Sequence, residues 1–253
     1  MDVIIQARMS SSRLPGKVML TINDNHLIWY VYQRVKMSKK VDRIFIATSI
    51  DKSDDILSNY CNSKNIPCFR GSLDDVLDRF YQLAKKEKMK DIIRITADCP
   101  LIDYKIIDEM ITYYKKEKGL IDYFSNVHPP NFPDGLDCEI FSFEVLEKSW
   151  RSAEKKSERE HVTAYIYNNS NLFRVHNYYN DKDYSSFRWV VDEQEDFDLI
   201  KKIYKHFNFK LNITMNDIIK YLIKNEELIM INSKYSRNEG YFKSIHEDEI
   251  FKK

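Results

Sequence analysis

The sequence predicts an α/β fold, three layers deep around a mostly parallel sheet, and three observations carry that reading. Short β-branched runs at residues 3–5, 43–48, 66–70 and 92–96 alternate with stretches whose apolar residues recur at helical spacing. The first run, Val3-Ile4-Ile5, is apolar at every position, as a strand buried on both faces must be. The length of 253 residues allows a sizeable core, and α/β folds of this size are often one domain.

Each element has its own signal. Leu27, Ile28, Val31 and Val35 mark a helix over 26–37, and Asp51 and Ser53 can cap the helix after the second strand. Gly71-Ser72 turns the third strand into a helix beginning near Asp74, with Val76, Leu77, Phe80, Tyr81, Leu83 and Ala84 as its core face. The fourth strand ends in Ala97-Asp98-Cys99-Pro100, and Asp103 caps a helix to about residue 116. Residues 1–118 therefore read as a Rossmann-like nucleotide-binding half. The second half is less regular. Strands are expected at 122–127, 137–141, 173–179 and 187–191, and helices at 143–153, 158–168 and 193–207, with a Pro-dense loop at 128–135. Residues 1–209 are taken as one domain, its second half being 119–209. A helical extension and tail, 210–253, completes the chain. The tail sequence Ser236-Arg237-Asn238-Glu239-Gly240-Tyr241 either folds over the site or across a dimer partner, helping to hold a ligand there, or stays loosely ordered.

Bulk properties exclude several functions. Forty basic residues face thirty-nine acidic ones, a net charge of +1, so nothing global points to nucleic acid or an anionic membrane. Apolar runs are too short to span a bilayer, and no basic-then-apolar signal precedes the first strand, so a cytoplasmic protein is expected. Cys61, Cys68, Cys99 and Cys138 form no C-x-x-C pair or metal-ligand spacing, and are read as reduced, mostly buried thiols.

The chemistry starts after the first strand. Arg8, three consecutive serines, Arg13, Pro15-Gly16 and Lys17 place three cations and several small donors in one turn. In α/β folds, ligands bind at the carboxyl ends of the strands, and such a loop suits a polyphosphate. A basic, solvated surface turn is the alternative. A P-loop is excluded because Lys17 is followed by Val18. Asp98, at the end of the fourth strand, is placed to hold Mg²⁺ beside phosphates, or to cap a turn or helix. Asp192, at the end of the last expected strand, is a second metal candidate or a helix cap.

Arg8-x-x-Ser11-x-Arg13-Leu14-Pro15-Gly16-Lys17 resembles the phosphate-binding signature of CTP-dependent sugar-activating enzymes. These are the CMP-Kdo synthetase and acylneuraminate cytidylyltransferase group, and the likeness is greatest to the branch called spore coat polysaccharide biosynthesis protein F. It runs from Asp2 to about Phe207. Asp98-Cys99-Pro100-Leu101-Ile102 and Trp189-Val190-Val191-Asp192-x-x-x-Asp196 fit further blocks, the latter with Glu193-Gln194 where the family has Thr-Pro.

The resemblance implies a GT-A-like nucleotidyltransferase fold and transfer of CMP from CTP to a small anionic sugar-type acceptor, with release of pyrophosphate. It implies catalysis by Arg8, Arg13, Lys17 and Asp98, with Mg²⁺ on Asp98 and Asp192. Nucleotide contacts would come from Ala7, Arg8, Ser11, Arg13, Lys17, Arg79, Thr96 and Asp98, although Arg79 could equally be a solvated arginine. Acceptor contacts would come from Asp134, Asp137, Glu139, Arg159, His161 and Arg188, although the first three also read as a polar turn and Arg159 and His161 as a helical charge cluster. The acceptor's identity and the oligomeric state are left open, a homodimer included. A phosphate or phosphonate acceptor needs no general base, whereas an anomeric hydroxyl does. Two competing readings remain. A glycosyltransferase would want a D-x-D motif, which Asp98-Cys99-Pro100 lacks, and a nucleotide-binding scaffold would not need both aspartates and all three loop cations.

Overall fold

The computed structural model describes residues 1–250. Its strands are β1 (Asp2–Gln6), β2 (Thr21–Ile22), β3 (Asn25–His26), β4 (Arg43–Ser49), β5 (Cys68–Gly71), β6 (Asp91–Thr96), β7 (Tyr123–Ser125), β8 (Glu139–Ser142) and β9 (Val175–Asn177). Apart from the short β2–β3 hairpin they form one seven-stranded sheet in the order β5-β4-β1-β6-β8-β7-β9. β5, β4, β1 and β6 run parallel, whereas β8 lies antiparallel to both β6 and β7. The helices are α1 (Leu27–Lys36), α2 (Asp55–Ser63), α3 (Val76–Lys86), α4 (Tyr104–Lys116), α5 (Phe143–Ser152), α6 (Lys156–Glu160), α7 (Ala164–Asn168), α8 (Gln194–His206), α9 (Met215–Ile223), α10 (Glu226–Ile229) and α11 (Glu239–Ile250).

The alternation of β1 divides the core. Val3 and Ile5 point into a cluster with Leu27, Val31, Ile107, Ile200 and Ile219, while Ile4 points into a second cluster with Leu77, Phe80, Phe141 and Leu146. Helices thus cover both faces, as the expected three layers require. Asp103 caps α4 by accepting from the Lys105 N–H at 2.9 Å, and Asp75, one residue past the expected start, caps α3 from the Asp78 N–H at 2.8 Å. All four cysteines are free, three of them buried.

Three expectations are corrected. Residues 187–191 join no strand of the sheet. Their partners are loops: the Trp189 N–H donates to the Asp134 carbonyl at 2.6 Å, and the Val191 N–H donates to the Asp98 carbonyl at 2.8 Å. Residues 158–168 are two short helices instead of one, broken where Val162 takes φ 53°. The tail is more than a polar end, since Glu239 opens α11.

Candidate functional site

A cavity of about 800 Å³ opens at the carboxyl ends of β1 and β6. The loop leaving β1 is fixed from outside by Asp54, buried at the start of α2, whose carboxylate accepts from the Met9 N–H at 2.6 Å and the Ser49 N–H at 3.0 Å. Met9 in turn accepts from the Ser11 and Gly16 N–H groups at 2.9 Å each, folding the loop back on itself. Gly16, at φ 70°, makes the turn that carries Lys17 inward.

Lys17 is buried between two carboxylates. Its ammonium lies 2.6 Å from Asp98 Oδ2 and 2.7 Å from Asp192 Oδ1. Burial alone would lower its pKa, but the charges of Asp98 and Asp192 outweigh that and raise it. Burial likewise opposes ionisation of Asp98, and the Lys17 ammonium wins, holding the carboxyl at about 2.

Neither aspartate caps a helix. Asp103 caps α4, and the N–H groups of Asp192 and Glu193 before α8 go to Asp196 Oδ2, at 2.9 Å each. Arg188 grips Asp196 with two bonds of 2.9 and 3.0 Å and also meets Asp134 at 3.2 Å and Asp192 at 3.4 Å. It is buried beneath the cavity, orienting Asp192 instead of lining the wall.

The other loop cations are also paired. Arg13 contacts Asp192 at 2.8 Å and Glu239 at 3.1 Å, and Arg8 contacts Glu160 at 3.2 Å. Ala7, Ser11 and Thr96 line the cavity with them. Arg79 does not. It is fully buried, donating to the Ser72 carbonyl at 2.6 and 2.8 Å and to the Leu73 carbonyl at 3.0 Å, and burial pushes its pKa down to about 10. It shapes the loop before α3.

On the far side the cavity wall carries Asp134, Asp137, Glu139 and His161. Glu139 is ion-paired with Arg94 and accepts from the Tyr123 hydroxyl at 2.8 Å and the Thr163 hydroxyl at 2.6 Å. Burial favours its neutral form, but Arg94 dominates and lowers its pKa. Asp137 is ion-paired with Arg237. Asp134 is pushed up to about 7 by burial and by Asp137, against the pull of Arg237 and Arg188. Burial brings His161 down to about 4, leaving a neutral ring near pH 7. Arg159 lies outside this wall. It turns away to Asp75, at 2.5 Å, and to the Trp150 carbonyl, at 2.6 Å.

Several residues here were missed in the sequence. Arg94, a lone cation within an apolar strand, was a visible signal. Asp54 and Glu160 were not distinguishable from ordinary helix acids. His128 and Tyr167 also line the cavity, and so do residues 238–244, in line with the reading in which the tail folds over the site.

Two carboxylates around one cation, with space beside them, are the donor set that Mg²⁺ takes when phosphate and water oxygens complete its shell. Among the described residues no group of three or more His, Cys, Asp or Glu side chains gathers to hold a metal unaided. The arrangement can bind a polyanion at the loop and a polar, hydroxyl-rich molecule opposite it.

Comparison with known proteins agrees. Residues 3–230 match the family model described as Cytidylyltransferase. The spore coat polysaccharide biosynthesis protein SpsF of Bacillus subtilis is 33% identical over 231 residues, covering 88% of this chain and 94% of SpsF. A cytidylyltransferase structure from Leptospira borgpetersenii superposes with a TM-score of 0.86 at 33% identity, covering 90% of this chain and 95% of that one. A CMP:2-keto-3-deoxy-manno-octonic acid synthetase complexed with CTP shares the fold, with a TM-score of 0.62 at 14% identity over 81% of this chain and 98% of its own. No helix of the described residues is long and apolar enough to cross a membrane. By sequence over most of its length and by its mixed seven-stranded α/β fold, this chain belongs to the cytidylyltransferase family, a family of nucleotidyltransferases.

Proposed function

We propose that this protein transfers CMP from CTP to a small anionic sugar-type acceptor, a sugar acid or a phosphorylated sugar or polyol. Its similarity to SpsF supports a role in surface polysaccharide or glycoconjugate synthesis. The observation that carries the reading is Lys17, held between Asp98 and Asp192 at the inner end of a three-cation loop that faces a wall of hydroxyl-binding carboxylates.

An acceptor oxygen attacks the α-phosphorus in line. The new P–O bond forms as the bond to the β-phosphate bridging oxygen breaks, and pyrophosphate leaves. Arg8, Arg13 and Lys17 neutralise the triphosphate and the charge building on the departing pyrophosphate. Asp98 and Asp192 would hold Mg²⁺, which supplies charge stabilisation at the phosphates. Asp134, Asp137 and Glu139 accept acceptor hydroxyls, or position the groups that do. No covalent enzyme intermediate is required.

A product screen tests this, with CTP, Mg²⁺ and a panel of sugar acids and phosphorylated polyols, read by mass spectrometry and pyrophosphate release. A CMP-linked product is expected. Tight CTP binding with no pyrophosphate release across a broad panel would overturn the enzymatic reading.

A further inference from the structure

The C-terminal helix α11 lies beyond the stretch matched by the family model, which ends at residue 230, yet it forms part of the cavity wall. Its anchors run to the phosphate loop. Glu239, its first residue, is paired with Arg13 at 3.1 Å. One turn on, the Ser244 hydroxyl lies 3.1 Å from Glu160 Oε2 and 3.0 Å from His161 Nε2, while Glu160 Oε1 is paired with Arg8. Two of the three loop cations are thus tied to this helix, one directly and one through Glu160.

Its remaining anchors are mostly polar, apart from the Tyr241 ring, which meets His161 and Tyr167 edge-on at 5.1 and 6.0 Å. Asn168 donates to the Tyr241 hydroxyl at 2.8 Å, Lys156 meets Glu247 at 3.2 Å, and the Ser157 N–H donates to Asp248 at 3.2 Å. Ser244 is the helix's buried residue, and Phe242 and Ile250 are exposed. Little apolar burial holds α11 down, and part-exposed ion pairs hold weakly.

We propose that α11 is a latch over the acceptor side of the cavity, and that a bound triphosphate releases it. The inference rests on reading the loop as a triphosphate site. Arg8 and Arg13 cannot neutralise phosphates and keep Glu160 and Glu239 as close partners. A polyphosphate binds the guanidinium groups through charge-assisted bonds and repels both carboxylates. Nucleotide binding therefore loosens Glu239 and the Glu160–Ser244 link together, and the acceptor enters after CTP. CMP, lacking the outer phosphates, leaves the latch in place.

Hydrogen–deuterium exchange of residues 239–250 in the full chain tests this, without nucleotide, with CTP and Mg²⁺, and with CMP and Mg²⁺, occupancy being fixed by titration calorimetry. CTP should speed exchange in this helix by about tenfold, the opening expected when two part-exposed ion pairs are lost, and CMP should leave it nearly unchanged. Glu239→Gln should exchange faster before any nucleotide is added and respond less to CTP. Unchanged or slower exchange at CTP saturation overturns the latch while leaving the transferase reading intact. If calorimetry shows no CTP binding, both fall.

Discussion

At Lys17 two demands meet in one side chain. The ammonium neutralises Asp98 and Asp192, and the same charge is wanted by the phosphates of a nucleotide. Removing either side of this arrangement has a distinct consequence. Asp98→Asn keeps the shape, leaves Lys17 with Asp192, and deletes one of two carboxylates available to a metal. Turnover should fall by roughly 10²-fold or more, measured as pyrophosphate release, with the unfolding temperature little changed. Activity within a few-fold of wild type would remove Asp98 from the metal site. Lys17→Ala does the opposite. It leaves two carboxylates facing each other without their cation, so the variant should melt lower than wild type in metal-free buffer. Mg²⁺ should then raise its melting temperature more than it raises that of wild type. An equal response to Mg²⁺ in both proteins would mean that the two aspartates do not share a cation.

Among the elements, residues 187–191 make the strongest case for packing over pattern. The run Phe187-Arg188-Trp189-Val190-Val191 has the composition of a strand, and Trp189 and Val191 are indeed buried. Its hydrogen-bond partners, however, are the loop at 134 and the end of the Asp98 turn, a pairing that no local spacing announces. Gly135 makes it possible. At φ 106° a Cβ would stand 2.6 Å from the backbone of Trp189 and Val190, so Gly135→Ala must push apart the segment that aims Arg188 and Asp192. A loss of about 2–4 kcal/mol is expected, with a matching drop in activity. Gly119→Ala is the control, having positive φ but nothing within 4 Å, and should cost only the conformational term of about 1 kcal/mol. Equal melting temperatures for the two variants would discard the packing argument. The break at Val162 was equally hidden. In a continuous helix His161 and Thr163 would project about 200° apart, whereas the turn lets Thr163 reach Glu139 while His161 meets Ser244. The parallel half was legible because each strand there leads on to a helix with an apolar face, and α3 and α4 open on capping aspartates. The loop after β1 was legible as a candidate site because its cations follow a buried strand directly and come with three serines and a Pro-Gly bend. Arg79 and Arg159 misled because a guanidinium satisfied by backbone carbonyls or a helix acid looks, in sequence, like one waiting for phosphate.

For the molecule as a whole, the question is where the cooperative unit ends. The sequence suggested residue 209, but the packing argues for a later point. Met215, Ile218, Ile219 and Leu222 of α9 are buried in the same cluster as Val3 and Ile5. Arg34, fully buried in α1, donates to the carbonyls of Leu101 and Ile102 at 3.1 and 2.7 Å, and to those of Leu211 and Ile213 at 2.5 and 2.8 Å. Ending the chain at 209 deletes two of those four acceptors and the apolar cover over them. A buried guanidinium left short of partners costs several kcal/mol, and the lost burial adds more. Against a total stability of about 5–15 kcal/mol, that is enough to abolish folding. Ending the chain after Asn238 is different. It keeps Arg237 on Asp137 and removes only α11, whose single buried residue is Ser244. Thermal melts followed by circular dichroism should therefore show no cooperative transition for residues 1–209. For residues 1–238 the midpoint should lie within about 5 °C of the full chain, the loss of roughly one kcal/mol. A cooperative 1–209 fragment melting near the full chain would put the boundary back at 209 and make α9 an appendage. A 1–238 fragment that fails to fold would make α11 part of the core, and a helix so integrated could not act as a latch.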